Sequence, residues 1–145
     1  KSSDKDVVGH YLHANGKIGT LVFLTCGKAA STTNPDVLAL VKNLAMQVAA
    51  ANPLALDASS LDQAAVERER EVYRQKALEE GKPAQIVDKI ADGAVKKFQK
   101  EVCLMEQPYI RDDKKSINDL VRETAKAVGD DLTVTGFERI QLAAE

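Results

Sequence analysis

The dipeptide Asn15-Gly16 constrains this chain more than any other feature. It sits between two runs rich in β-branched and aromatic residues, 7–14 and 17–26. Asn-Gly supplies the two positive φ angles of a type I′ turn, whose twist matches that of paired antiparallel strands. The turn therefore predicts a hairpin and fixes its register: Ala14 faces Lys17, His13 faces Ile18 and Leu12 faces Gly19. Val22, Phe23 and Leu24 are consecutively apolar, so the second strand is expected to be central or covered on both faces. A lone hairpin is marginal in water, and a third strand must come from elsewhere.

Downstream, the pattern switches to helical period. Asn34 is a plausible N-cap with Pro35 at the first helical position. Val37, Leu40, Val41, Leu44, Ala45 and Val48 then form one broad apolar stripe in a helix over 35–51, which Asn52-Pro53 ends. Ser60, with Gln63 as its capping-box partner, is expected to start a second helix through EREREVYRQKALEE to Glu80. Its apolar residues are sparse: Ala65, Val66, Val72, Tyr73 and Ala77. Gly81-Lys82-Pro83 separates it from a third helix, marked by Ile86, Val87, Ile90, Ala94 and Phe98 and reaching about Leu104. Two helices joined by so short a turn are antiparallel neighbours. Their thin seams and wide charged surfaces predict a hairpin over 60–104, inserted in the domain and projecting from it. The run Glu67-Arg68-Glu69-Arg70-Glu71 reads as solvated helix surface.

After Gln107-Pro108, residues Tyr109-Ile110 read as a short extended piece. Ser116, with Asp119 at the capping-box position, starts a helix over 116–128 whose buried stripe is Ile117, Leu120, Val121, Thr124 and Val128; Gly129 caps its end. A last strand over 132–142, bulged near Gly136, supplies the missing third strand. The fold class is therefore α+β: a small three-stranded antiparallel sheet covered on one face by helices, with a helical hairpin in the style of a coiled coil.

At 145 residues and 44% hydrophobic content the chain is one domain's worth. It opens at Lys1, so a processed chain or part of a longer one is expected. No apolar run approaches the ~18 residues of a membrane span, and no secretory signal opens the sequence. The net charge of −2 argues against non-specific nucleic-acid binding. Cys26 and Cys103 are expected to be two buried thiols. There is no CxxC and no pair of histidines on a helix face, so no metal site is expected. Asp112-Asp113 and Asp130-Asp131 are acidic pairs in loops without the spaced oxygen ligands of a calcium loop. His10 and His13, the two histidines, share the first strand, and no nucleophile, base and orienting group can be assembled around them. Phosphate-binding glycine motifs are absent. The chain is read as a binding module, not an enzyme, with no cofactor. His13, beside the tight turn, is the residue expected to be rigidly displayed to a partner.

Four segments resemble the core (dimerisation) domain of the elongation factor Ts family: HANGKIGTLVFL at 13–24, KNLAMQVAAANP at 42–53, the helical-hairpin run from Glu67 to Ile110 with its GKP turn and DGAVKKFQKEVCL stretch, and VTGFERIQL at 134–142. The resemblance implies an antiparallel sheet with a projecting coiled coil. It also implies a guanine-nucleotide exchange factor that binds elongation factor Tu and promotes loss of magnesium and GDP. That would place the chain in the bacterial cytoplasm, or in the matrix of a mitochondrion or plastid. It implies no membrane and no direct nucleic-acid partner.

One departure matters. The family's Thr-Asp-Phe-Val motif, whose Asp and Phe reach the magnesium region of the GTPase, falls on Lys28-Ala29-Ala30-Ser31. Long members carry two related core subdomains, and the C-terminal one lacks the motif. The resemblance thus implies a C-terminal core subdomain of a longer chain that mainly docks. In that subdomain a His near the hairpin tip contacts elongation factor Tu. It matches His13, with this turn one residue longer, and His13, Ala14, Asn15 and Gly16 are the expected docking tip. The alternative is a structural module that self-associates as a homodimer or docks another translation component without exchange activity.

Overall fold

The computed structural model describes residues 3–142. In chain order its elements are β1 (Asp6–His13), β2 (Ile18–Cys26), α1 (Pro35–Ala51), α2 (Gln63–Glu79), α3 (Ala84–Val102), β3 (Pro108–Tyr109), β4 (Asp112–Ser116), α4 (Ile117–Val128) and β5 (Leu132–Gln141). The chain divides into two compact units, one of residues 1–52 with 108–145 and the other of 53–107.

The first unit is built on the antiparallel sheet β1-β2-β5, with β2 central. Its register is the one the Asn-Gly turn dictates, His13 opposite Ile18 and Leu12 opposite Gly19. The β2–β5 pairing shifts between Phe23 and Leu24, where Gly136 and Val134 are the successive partners, so the bulge falls beside Gly136. One face of the sheet carries Val7, Val22, Leu24, Leu132 and Val134, all buried. Helix α1 lies against it with Val37, Leu40, Val41, Leu44, Ala45 and Val48 inward, each at most 3% exposed. The approach is close at Gly9, where a Cβ would stand 2.6 Å from the Val41 carbonyl carbon and nearer still to its oxygen. Thr20, buried in β2, gives its hydroxyl to the Ala45 carbonyl at 2.7 Å. The other face leaves Val8, Leu12, Leu21 and Ile140 exposed.

Local signals set both helix ends here. Asn34 accepts from the Asp36 amide, Pro35 opens α1 and Asn52 closes it in the left-handed region at φ 45°. Ser116 and Asp119 form the reciprocal capping box of α4, and Gly129 closes it at φ 68°. Of the expected α4 stripe, Ile117 and Val121 are fully buried, with Leu120, Thr124 and Val128 at intermediate depth. A polar ribbon corrects the sequence reading: Asp112-Asp113 begin β4, which pairs with Pro108-Tyr109. DDKKS has no strand-like apolar alternation. The Gln47 side chain, 0% exposed in α1, instead holds the turn by donating to the Pro108 carbonyl (3.1 Å) and accepting from the Ile110 amide (2.9 Å).

The second unit contains α2 and α3, which pair antiparallel through ion pairs of Arg70 with Asp92 and Arg74 with Asp88. Their turn is a Schellman motif: the Lys82 amide reaches the Ala77 carbonyl at 3.1 Å, the Gly81 amide reaches Leu78 at 3.0 Å, and Gly81 has φ 77°. Ser60 is not the N-cap of α2. It closes a capping box with Asp57 around a 3-10 turn over Ala58–Ser60, and Asp62 caps the helix by accepting from the Ala64 amide. Pro83 precedes α3 as its cap residue, and that helix ends at Val102, short of Leu104. The seam is rotated from the expected one. Val66, Ala77, Val87, Ala91 and Val95 are buried, while Val72 and Ile86 are 61% and 45% exposed. Arg70 belongs to this seam and is not merely solvated surface. A small core of Ala55, Leu61, Val66, Val95 and Cys103 closes the base, with Phe98 and Val102 packed against it.

Candidate functional site

The tip of the β1–β2 hairpin is built by its turn. Asn15 and Gly16 have φ 60° and 80°, as a type I′ turn demands, and the Lys17 amide donates to the Ala14 carbonyl at 3.2 Å. Ala14 is also left-handed, at φ 56°. For alanine that conformation costs roughly 1 kcal/mol, which the ladder on either side must offset. The Leu142 amide donates to the Lys17 carbonyl at 2.8 Å, tying the base of the tip to the far edge of the sheet. His13, Ala14, Asn15 and Gly16 are all exposed.

Side chains two apart on a strand share a face, so Tyr11 and His13 lie together. The Tyr11 hydroxyl is 3.1 Å from His13 Nδ1, with ring centroids 5.7 Å apart and ring planes tilted by 31°. This pairing was missed from the sequence, although the Tyr-x-His spacing on a strand could have signalled it. His10, an odd number of residues from His13, points to the opposite face, so the two histidines are not brought together. Cys26 and Cys103 are buried free thiols, as expected. Burial pushes the Cys103 thiol up to about 11, and burial with nearby Asp130 and Asp6 raises that of Cys26. Neither thiol is available as a thiolate near neutral pH. Among the described residues no group of His, Cys, Asp and Glu could hold a metal ion, and no helix is long and apolar enough to cross a membrane. What the tip can do chemically is offer hydrogen bonds from a fixed frame.

The connector after β2 is bound to the α4–β5 turn. Residues Ala29–Thr33 form a 3-10 turn. Asp130 accepts from the Lys28 amide (2.9 Å) and the Ser31 hydroxyl (2.7 Å), and the Gly27 amide donates to the Asp131 carbonyl (2.8 Å). A side chain at position 27 would collide with the Asp130 carboxylate. Ala29 and Ala30 stand exposed on this clamped segment. The Ser31 hydroxyl, then the Lys28 and Asp131 amides, hold the Asp130 carboxyl below its ordinary 3.8. Because the folded-state pKa is depressed, this stability is present above the ordinary carboxylate range and is lost as pH falls through the lowered value. Urea unfolding followed from about pH 5 to about pH 3 should show the midpoint falling. Asp130→Asn, which keeps an acceptor oxygen but no charge, should flatten part of that fall. An identical pH profile in the variant would exclude Asp130 from the acid response.

A family model described as Elongation factor TS matches residues 1–144. The chain belongs to the elongation factor Ts family. It is similar to elongation factor Ts of Desulfovibrio desulfuricans, 81% identical over 145 residues, which is all of this chain and 51% of that protein. The Nitratidesulfovibrio vulgaris protein is 59% identical over 138 residues, 95% of this chain and 48% of the relative. That of Oleidesulfovibrio alaskensis is 52% identical over 144 residues, 99% of this chain and 73% of the relative. The chain thus spans about half the length of the first two elongation factor Ts relatives.

Proposed function

We propose that this chain is part of a guanine-nucleotide exchange factor that binds elongation factor Tu and promotes GDP release during translation elongation in the bacterial cytoplasm. Within it, this part mainly docks. Family membership supports the first statement. The second is supported by Ala29 and Ala30, which are exposed and on which, by the family resemblance, the acid and the aromatic ring of the Thr-Asp-Phe-Val motif fall. A methyl group can neither displace a magnesium ligand electrostatically nor wedge a loop apart. Exchange needs no covalent chemistry; it needs a partner that binds the nucleotide-free GTPase better than the GDP-bound form. The docking tip is His13, Ala14, Asn15 and Gly16, and the helical hairpin is a coiled coil inserted in a C-terminal core subdomain.

Fluorescent GDP preloaded on elongation factor Tu should leave only slightly faster when this chain is added. Release as fast as with an intact factor would overturn the docking assignment. In the same series His13→Ala should bind elongation factor Tu about tenfold more weakly by calorimetry. An unchanged affinity with the fold intact removes His13 from the site.

A second reading, a module that self-associates without exchange, is favoured by the exposed apolar sheet face of Val8, Leu12, Leu21 and Ile140. Sedimentation at several concentrations, with and without elongation factor Tu, separates a dimer of this chain from a heterologous complex.

A further inference from the structure

A histidine displayed on a turn is a poor anchor unless something orders its ring. An exposed imidazole samples several rotamers and two neutral tautomers, and fixing one on binding subtracts from affinity. His13 has an orienting neighbour. Tyr11 is half-buried and pairs in register with Thr20, the buried residue whose hydroxyl is tied to the Ala45 carbonyl. Tyr11 therefore stands on the rigid part of the sheet, and His13 stands two residues further out, exposed. The 3.1 Å contact between the Tyr11 hydroxyl and His13 Nδ1 links the two.

The direction of that hydrogen bond follows from the chemistry of the groups. A phenolic oxygen shares its lone pairs with the ring, so it is a better donor than acceptor, whereas an unprotonated imidazole nitrogen is a strong acceptor. Donation from the hydroxyl to Nδ1 leaves the single ring proton of neutral His13 on Nε2, at the opposite edge of the ring. We propose that Tyr11 is a positioning residue of the docking tip: its hydroxyl orients the His13 ring and holds the proton on Nε2, so that the tip offers an N–H donor to a carbonyl or carboxylate oxygen of the partner. The assignment rests on the docking role of His13. It adds a residue that acts through His13 and the chemical class of group that must face it.

The test separates the two. In the ¹⁵N-labelled chain, at a pH where imidazole is neutral, the ring nitrogens of His13 should report the Nε2–H tautomer with a hydrogen-bonded Nδ1. Tyr11→Phe, which keeps the ring and removes the hydroxyl, should move both nitrogen shifts of His13 and leave those of His10 in place. Identical His13 shifts in the two proteins overturn the proposal. Binding of elongation factor Tu should weaken about three- to tenfold in Tyr11→Phe, the range for losing one orienting hydrogen bond. In the His13→Ala background the same change should cost nothing further, because the hydroxyl then has nothing to orient. An equal loss in both backgrounds would mean that Tyr11 acts by itself and would also overturn the proposal. If His13→Ala binds normally, the docking reading fails, while the nitrogen shifts still decide whether Tyr11 sets the ring.

Discussion

Replacing Gly9 by alanine is expected to destabilise the chain by about 3 kcal/mol, the upper end of what overpacking costs. The sign is informative. In a strand, glycine normally weakens the fold through its unfolded-state entropy, and alanine at an unobstructed site should stabilise. At Gly9 the added Cβ would meet the Val41 backbone, with the carbonyl carbon 2.6 Å away and the Val41 Cβ 2.7 Å away. These are not the far ends of flexible side chains. Val41 lies in the middle of α1 and is 3% exposed, so the helix itself must lift from the sheet. Gly93 supplies the internal control. It is exposed within α3 and a Cβ there meets nothing within 4 Å, so Gly93→Ala should stabilise by about 0.5–1 kcal/mol. Urea unfolding monitored by circular dichroism decides both. A neutral or stabilising Gly9→Ala would show that α1 does not pack as closely on β1 as described.

The contrast between these glycines marks what the sequence could and could not disclose. Features set by adjacent residues were legible. Asn15-Gly16 fixed the hairpin register, Asn34-Pro35 the start of α1, Ser116 with Asp119 the start of α4, and the apolar run at Val22 the central strand. Each is a local preference that nothing distant overrides. Features set by distant partners were not. The polar strand β4 carries no strand signal of its own, and the turn to it is held by Gln47, more than sixty positions earlier in the chain. The seam of α2 and α3 differs from the apolar pattern because it closes on the small residues Ala77 and Ala91 between Val66, Val87 and Val95, with the exposed pairs of Arg70 and Arg74 flanking it, and this leaves Val72 outside. Ser60 with Gln63 three residues on reads as a capping box, but Asp57 engages Ser60 in the preceding 3-10 turn and Asp62, two residues on, caps α2 instead. At the candidate site, the position of His13 on the tip followed from the turn, whereas the reach of Tyr11 to Nδ1 is a matter of rotamers. Asp130 passed as half of an acidic loop pair because its partners, Lys28 and Ser31, are about a hundred residues away.

Gln47→Leu should cost about 2 kcal/mol, and the loss should be local before it is global. Gln47 falls three residues after Leu44 and seven after Leu40, squarely within the apolar stripe of α1. Leucine there is close in volume and would ordinarily improve a buried helix face. The amide is retained because the Pro108 carbonyl and Ile110 amide both depend on it, at 3.1 Å and 2.9 Å. Removing one partner of a buried hydrogen bond costs ~1–3 kcal/mol for each group left unmatched. Pro108 and Ile110 are exposed as residues, so water recovers part of that and the total stays near the middle of the range. Hydrogen exchange should therefore quicken at Ile110 and through the Pro108–Ser116 ribbon, while the amides of β2 keep their protection. Gln47→Glu discriminates further. A carboxylate can still accept from Ile110 but cannot donate to Pro108, so it should be at least as damaging as leucine at neutral pH and should recover when protonated. If Gln47→Leu is as stable as the parent chain and exchanges no faster at Ile110, the ribbon is held by its own short ladder and the amide clamp is incidental.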